Sequence, residues 1–121
     1  MDIDRTRRVG ELIQRELALL INSELSDPRI GLVTLTGVEL TRDLKQAKVF
    51  LTELTNNSRS KSDHKELIEA LNSASGYLKR LLSQKLDLRS MPKLQFIYDN
   101  SVERGLRLSA LIDEARKKDK D

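Results

Sequence analysis

Two strand-like segments joined by a short turn constrain the fold of this chain more than any other feature. Residues 31–40 and 45–54 are rich in valine, threonine and leucine, and apolar side chains alternate along the second segment. Only residues 41–44 connect them, so the two segments are predicted to pair as an antiparallel hairpin. Gly37 interrupts the first segment, and a glycine inside a strand often marks a β-bulge.

Helical patterns lie on both sides of this hairpin. Apolar residues recur at three- and four-residue steps in residues 6–24, in residues 62–85 and again in residues 102–113. The polar stretch at residues 55–62 has no such pattern and is predicted to be a loop. Each helix therefore has one apolar face to bury against another layer.

A third strand is predicted to open at Pro92, with Phe96 and Tyr98 among its core residues. The order helix, strand, strand, broken helix, strand, helix predicts an α+β domain of two layers, in which helices cover one face of a three-stranded sheet. A chain of 121 residues suits one such domain. We expect it to span residues 1–115 and to be followed by a polar, charged tail at 116–121.

The helix that follows the hairpin is weakened in its middle by Gly76, which costs about 1 kcal/mol relative to alanine. We expect two short helices that meet at a kink at Gly76. Such a kink frees the first amides of the second helix, and these donors form an anion site together with the adjacent Lys79 and Arg80. The alternative is that Gly76 allows another element to pack closely, and spacing alone favours neither.

The positive charge of the chain is concentrated around this kink. The net charge is +3, and the whole excess lies in residues 61–121. Residues 70–98 carry a single acid, Asp87, and five cations: Lys79, Arg80, Lys85, Arg89 and Lys93. A local concentration of this kind attracts phosphate, although an ordinary solvated helix face explains it equally well. A second candidate anion contact is the arginine cluster near the start of the first helix, for which solvation is again the alternative: Arg5, Arg7 and Arg8.

The sequence shows no cluster or motif that is typical of a catalytic or metal-binding site. There is no cysteine, and the single histidine, His64, has no neighbouring cluster of ligands. No glycine-rich phosphate loop is present, so no catalytic residue, metal site or cofactor is predicted, and the protein is not expected to be an enzyme. Aromatic residues are also scarce, which favours contacts to RNA phosphate and shape over base stacking. The lack of a signal peptide or a membrane-length apolar run predicts a cytoplasmic protein.

Three runs of the sequence resemble the ribosome-binding factor A family. They are DPRIGLVT at 27–34, DLKQAKV at 43–49 and LRSMPKLQFIYDNSVERG at 88–105. The order α-β-β-α-kink-α-β, with a C-terminal helix, is similar to a KH domain of the second topological type. KH domains clamp nucleic-acid backbone with a GxxG loop. Here Ala74-Ser75-Gly76 stands in its place, a substitution typical of the family.

The resemblance implies a non-enzymatic assembly factor that binds the immature 30S subunit near the 5′ region of 16S rRNA and the neck. Family members support late maturation and rRNA processing, matter most in cold growth, and leave with help from a ribosome-associated GTPase. Ribosomal proteins are further candidate partners, no membrane is involved, and a monomer is expected. Since the GxxG clamp is incomplete, recognition of phosphate and RNA shape is expected.

The predicted RNA-binding residues are Ala74, Ser75 and Gly76 at the kink, the basic residues Lys79, Arg80, Lys85, Arg89 and Lys93, and the second contact formed by Arg5, Arg7 and Arg8. The alternative hypothesis is a protein-interaction module that acts through the apolar part of the last helix or through a strand edge. The two hypotheses predict different salt dependence. Binding to RNA should weaken steeply with salt because phosphate contacts release counterions, whereas binding to a protein partner should depend on salt only weakly.

Overall fold

A computed structural model describes residues 3–53 and 61–101 of the chain. Its elements are α1 (Ile3–Glu24), β1 (Val33–Leu40), β2 (Gln46–Glu53), α2 (Lys61–Ser73), α3 (Ser75–Lys85) and β3 (Lys93–Tyr98). This order confirms the predicted α-β-β-α-α-β arrangement. The predicted helix at 102–113, the tail at 116–121 and most of the predicted loop lie outside the described residues. The predicted boundaries differ by one to three residues, and α2 already begins at Lys61.

The three strands form one sheet in the order β1-β2-β3. Strands β1 and β2 pair antiparallel, as the short turn between them predicts, whereas β2 and β3 pair in parallel. Parallel neighbours need a long crossover connection, and the segment containing α2 and α3 provides it. The result is the predicted α+β fold, consistent with a KH-like domain of the second topological type.

The β-bulge predicted at Gly37 is present in β1. Leu35 pairs with Leu51 and Gly37 pairs with the preceding residue of β2, Phe50, so Thr36 is the extra residue. The hydroxyl of Thr36 donates a hydrogen bond of 2.6 Å to the carboxylate of Asp99, which follows β3. The bulge therefore links the first strand to the end of the third.

The core lies between the helices and one face of the sheet. The alternation in β2 is confirmed, because Ala47, Val49 and Leu51 are completely buried. Phe96 is buried in β3 as predicted, while Tyr98 is only half-buried. The helices contribute Ile13, Leu17, Leu20, Ile21, Leu67, Leu71, Leu78 and Leu82. This shared core fixes α2 and α3 against β3, where the candidate site lies.

Helix α1 approaches β1 closely at a glycine. A Cβ atom at Gly10 would lie 3.1 Å from the carbonyl oxygen of Val38, so the absence of a side chain allows this approach. One helical turn further on, the side-chain amide of Gln14 donates a 3.0 Å hydrogen bond to the carbonyl of Leu35. These two contacts fix the position of α1 over the sheet.

Candidate nucleic-acid interface

The helix that follows the hairpin is broken, but at Ala74 and not at Gly76. Ala74 has φ −87° and ψ 0°, whereas an α-helical residue has ψ near −42°. Its amide is shared between the carbonyls of Ala70 and Leu71, at 3.1 Å each. The predicted division into two short helices is therefore present, and the break lies two residues before its predicted position at Gly76.

Side-chain hydrogen bonds explain why α2 ends where it does. The hydroxyl of Ser73 donates to the carbonyl of Glu69 (2.9 Å), a back-bond that bends helices. The side-chain oxygen of Asn72 accepts the amide of Phe96 in β3 (3.0 Å), which ties the end of α2 to the sheet. Gly76 only lowers helix propensity, whereas these contacts fix the place of the break.

The first turn of α3 presents amide donors that have no acceptor within the helix. The first bond of the ladder runs from the amide of Leu78 to the carbonyl of Ala74 (2.9 Å), so the amides of Ser75, Gly76 and Tyr77 precede it. This turn contains no acidic residue, and Ala74 provides no side-chain cap. The positive end of the α3 dipole is therefore not neutralised by the side chains of α3.

Gly76 has no structural requirement to be glycine among the residues that the structure describes. It is exposed, its φ is not positive, and a Cβ atom built on it would meet no atom within 4 Å. The alternative that Gly76 lets another element pack closely is therefore wrong for the described part of the chain. Its effect is to leave the backbone of the first turn of α3 open to approach.

A polar groove of about 370 Å³ lies between the break and the sheet. It is lined by Gln46, Asn72, Ser75, Lys93, Leu94 and Gln95. The parallel pairing of β2 with β3 places Gln46 beside Lys93, and the break between α2 and α3 brings Asn72 and Ser75 to the same groove. The three carboxamides of the groove are not among the predicted site residues, because only the tertiary fold places them beside the break.

All five cations predicted on this face are exposed: Lys79, Arg80, Lys85, Arg89 and Lys93. We call them the basic band. The guanidinium of Arg80 lies over the ring of Tyr77, with its central carbon 5.7 Å from the ring centroid. Lys85 is different, because its ammonium lies 4.0 Å from the carboxylate of Glu16 and its charge is partly offset. No other member has an ion pair within the described residues.

A second cavity, of about 170 Å³, brings Arg5 together with Arg89. It lies between the start of α1, the β1–β2 turn and the loop before β3, and Asp43 and Leu44 also line it. The carboxylate of Asp43 accepts hydrogen bonds from the hydroxyl of Thr41 (2.6 Å) and the amide of Lys45 (3.1 Å). These bonds, the hydroxyl first, lower the pKa of Asp43 below its ordinary value.

This cavity joins one member of the basic band to one of the predicted N-terminal arginines. Arg7 and Arg8 are also exposed on α1 but are not among the lining residues of this cavity. Of the three arginines predicted as a second anion contact, Arg5 is the one that shares this cavity with Arg89.

Comparison with known proteins decides the family. The family model described as ribosome-binding factor A matches residues 5–112. A protein of that name from Nitrosomonas eutropha is 54% identical over 114 residues, which cover 94% of each chain. The chain belongs to the ribosome-binding factor A family. This confirms the resemblance that the three sequence runs indicate.

Solved structures of the ribosome-binding factor A family share the fold. The crystal structure of the Thermus thermophilus protein aligns with a TM-score of 0.65 at 25% identity, covering 77% of this chain and 94% of that one. A model of the Thermus protein fitted into a cryo-EM map of a 30S complex aligns with a TM-score of 0.63 at 24% identity, covering 78% and 96%.

The run that begins at Asp27 forms a turn closed by an ion pair in this member of the ribosome-binding factor A family. The carboxylate of Asp27 accepts bonds from the guanidinium of Arg29 at 2.7 and 3.1 Å and from its amide at 2.9 Å. These bonds, led by those of the side chain, lower the pKa of Asp27 to about 2. The turn directs the chain from α1 into β1.

His64 has a neighbour that sequence reasoning missed. Its ring stacks on that of Tyr98, with centroids 3.9 Å apart and an interplanar angle of 13°. The pair lines a cavity of about 440 Å³ beside the first half of α2, together with Lys65, Ile68, Glu69 and Asn100. Residues 34 positions apart form this stack, so no local pattern could reveal it.

Within residues 3–53 and 61–101, no group of three potential metal ligands comes together. No helix in the same ranges is long and apolar enough to cross a membrane.

Replacing Gly76 by alanine is expected to stabilise the protein. The methyl group meets open space, and the gain in helix propensity is up to about 1 kcal/mol. For a domain of this size, this raises the melting temperature by roughly 3–5 °C, which calorimetry can measure. Gln84→Ala, at another exposed position of α3, is the control and should leave the melting temperature within about 1 °C. A lower melting temperature for Gly76→Ala would mean that the first turn of α3 packs against something.

Proposed function

We propose that this chain is a non-enzymatic assembly factor that binds the small ribosomal subunit through the backbone of 16S rRNA. The observation that carries the proposal is the junction of two features at the start of α3. The open amides of Ser75, Gly76 and Tyr77 lie there in a turn that contains no acidic residue, and the exposed cations Lys79 and Arg80 follow within one turn. Amides at a helix start and adjacent cations are complementary to phosphate.

The open backbone at Gly76 gives a phosphate access to the amides, and Lys79 and Arg80 neutralise its charge. The neighbouring groove supplies Lys93 and carboxamide groups for the following part of the RNA. The cavity lined by Arg5 and Arg89 forms a second phosphate contact that includes one member of the basic band. Two phosphates of the RNA must reach the start of α3 and this cavity at the same time. The protein therefore selects an RNA whose shape places its phosphates at that separation.

Membership of the ribosome-binding factor A family supports the same partner. The Thermus thermophilus ribosome binding factor A has been fitted into a map of its 30S complex. For this chain we propose the immature 30S subunit as partner, with contact near the 5′ region of 16S rRNA and the neck. We further propose that the protein supports late maturation of the subunit and rRNA processing, and that it is most important during growth in the cold. It is proposed to act as a monomer in the cytoplasm and to leave the subunit with help from a maturation GTPase.

Crosslinking on isolated immature 30S particles tests this function. We expect crosslinks that join rRNA to peptides containing residues 74–80 and 85–93. Affinity should fall with salt with a log–log slope of about −0.7 to −0.9 for each phosphate contact. Binding that survives RNase treatment and hardly changes with salt would contradict the proposal. That outcome would favour the alternative of a protein-interaction module.

A further inference from the structure

We propose that Tyr77 is a platform on which an unpaired nucleobase of the bound RNA stacks. This inference rests on the proposed function and deepens it, since it specifies that the site binds an unpaired nucleotide. Tyr77 is one of three large apolar side chains that stand out as exposed in the described part of the chain, and 40% of its surface is accessible. The other two, Leu19 and Leu32, are aliphatic and lie outside α3.

The ring of Tyr77 is not part of the hydrophobic core. The buried contacts of α3 come from Leu78 and Leu82, both completely inaccessible. The side chain of Tyr77 leaves the same turn with 40% of its surface exposed, and this exposed part contributes little to stability. An exposed aromatic residue beside a basic anion site is instead the combination with which proteins bind single-stranded RNA.

Arg80 prepares the ring for a base. Its guanidinium lies over the ring at 5.7 Å from the centroid, a cation–π distance that restricts both side chains before RNA arrives. A base that stacks on the ring or on the guanidinium plane then loses little extra side-chain entropy, and it gains attraction from the positive charge.

The amide site and the ring belong to neighbouring residues of the first turn of α3. Tyr77 directly follows Gly76, whose backbone is open to a phosphate. A phosphate and the base of the same nucleotide are separated by a single sugar. A phosphate at the amide of Gly76 therefore places its base within reach of Tyr77, provided that the base is unpaired. A base within a duplex is already stacked and cannot use this platform.

Tyr77→Trp provides a direct reporter, because the chain contains no tryptophan. Titration with a protein-free 16S rRNA transcript is expected to quench the new fluorescence as a base stacks on the indole. Leu32→Trp is the matched control, since Leu32 is 50% exposed, lies before β1 and does not line the groove beside the break. It should show little quenching at the same degree of binding.

Affinity measurements complete the test. Tyr77→Leu is expected to weaken binding to the transcript by about 5-fold to 160-fold, the range of one base–aromatic stack. Tyr77→Phe should remain within about 2-fold of wild type, because it keeps the ring. The salt slope should not change, since no cation is removed.

Two results would overturn the inference in distinguishable ways. If wild-type protein binds with the expected salt slope while Tyr77→Leu binds equally well and the tryptophan is not quenched, stacking is wrong and the proposed function stands. If wild-type protein binds neither the transcript nor immature 30S particles, the proposed function and the stacking inference both fail.

Discussion

Replacing Lys79 and Arg80 together by glutamate is expected to lower affinity for immature 30S particles by at least about 25-fold at 0.1 M salt. This is the gain in affinity that two phosphate contacts, at a log–log slope of about −0.7 each, provide when salt falls from about 1 M to about 0.1 M. Both side chains are exposed in the turn that follows the open amides of α3. Reversing their charge removes two contacts and adds repulsion. The negative log–log salt slope should become shallower by about 1.4 to 1.8. Binding measured at several salt concentrations gives both quantities.

The control for this variant is the double reversal Arg15→Glu and Lys65→Glu. Both residues are exposed, and the change in net charge is the same. Arg15 lies on α1, and Lys65 lies nine residues before the break in α2. A long-range field effect would weaken both variants equally, whereas a phosphate site at α3 predicts a loss only for Lys79 and Arg80. Equal affinity of the two double variants at matched salt, with both folded, would exclude this face.

The sheet could be predicted from the sequence because its signal is local. Alternation in residues 45–54 specifies the buried face of β2, and the short turn specifies antiparallel pairing with β1. The bulge was also predictable, since Gly37 interrupts a β-branched run. The parallel pairing of β2 with β3 was not predicted. Its partners are separated by α2 and α3, and no local pattern records which strand lies beside which.

The break and its groove show where local reasoning becomes insufficient. Gly76 indicated a weak point, but the break depends on Asn72 bonding to the backbone of β3 and on Ser73 bonding back to its own helix. The Asn72 contact depends on where the tertiary fold places β3, and the Ser73 contact depends on the conformation of its side chain. Gln46 and Gln95 join the groove for the same reason. The concentration of basic residues could be recognised from the sequence because charge depends only on residue type. Their contact with RNA is a prediction.

The core beneath the site gives the largest expected effect on stability. Leu78 is completely buried in the first part of α3, and Leu78→Ala is expected to reduce the free energy of unfolding by about 3–5 kcal/mol. The loss has two parts, the lost transfer of the side chain from water and the cavity that it leaves. Since small domains are stable by about 5–15 kcal/mol, this is a large share. Urea denaturation followed by circular dichroism measures it.

Leu19→Ala removes the same atoms from a helix where they are 58% exposed, and it should change the free energy of unfolding by less than about 0.5 kcal/mol. Leu78→Met keeps most of the volume and should cost less than about 1.5 kcal/mol. Because Leu78 donates its amide to Ala74 and immediately precedes Lys79, the same cavity should also loosen the phosphate site. At a temperature where Leu78→Ala is still folded, its affinity for immature 30S particles should therefore fall, while the affinity of Leu19→Ala should not change.

Equal stability of the two alanine variants would contradict this prediction. It would show that α3 does not pack on the sheet, and the geometry proposed for the RNA contact would then lack its support.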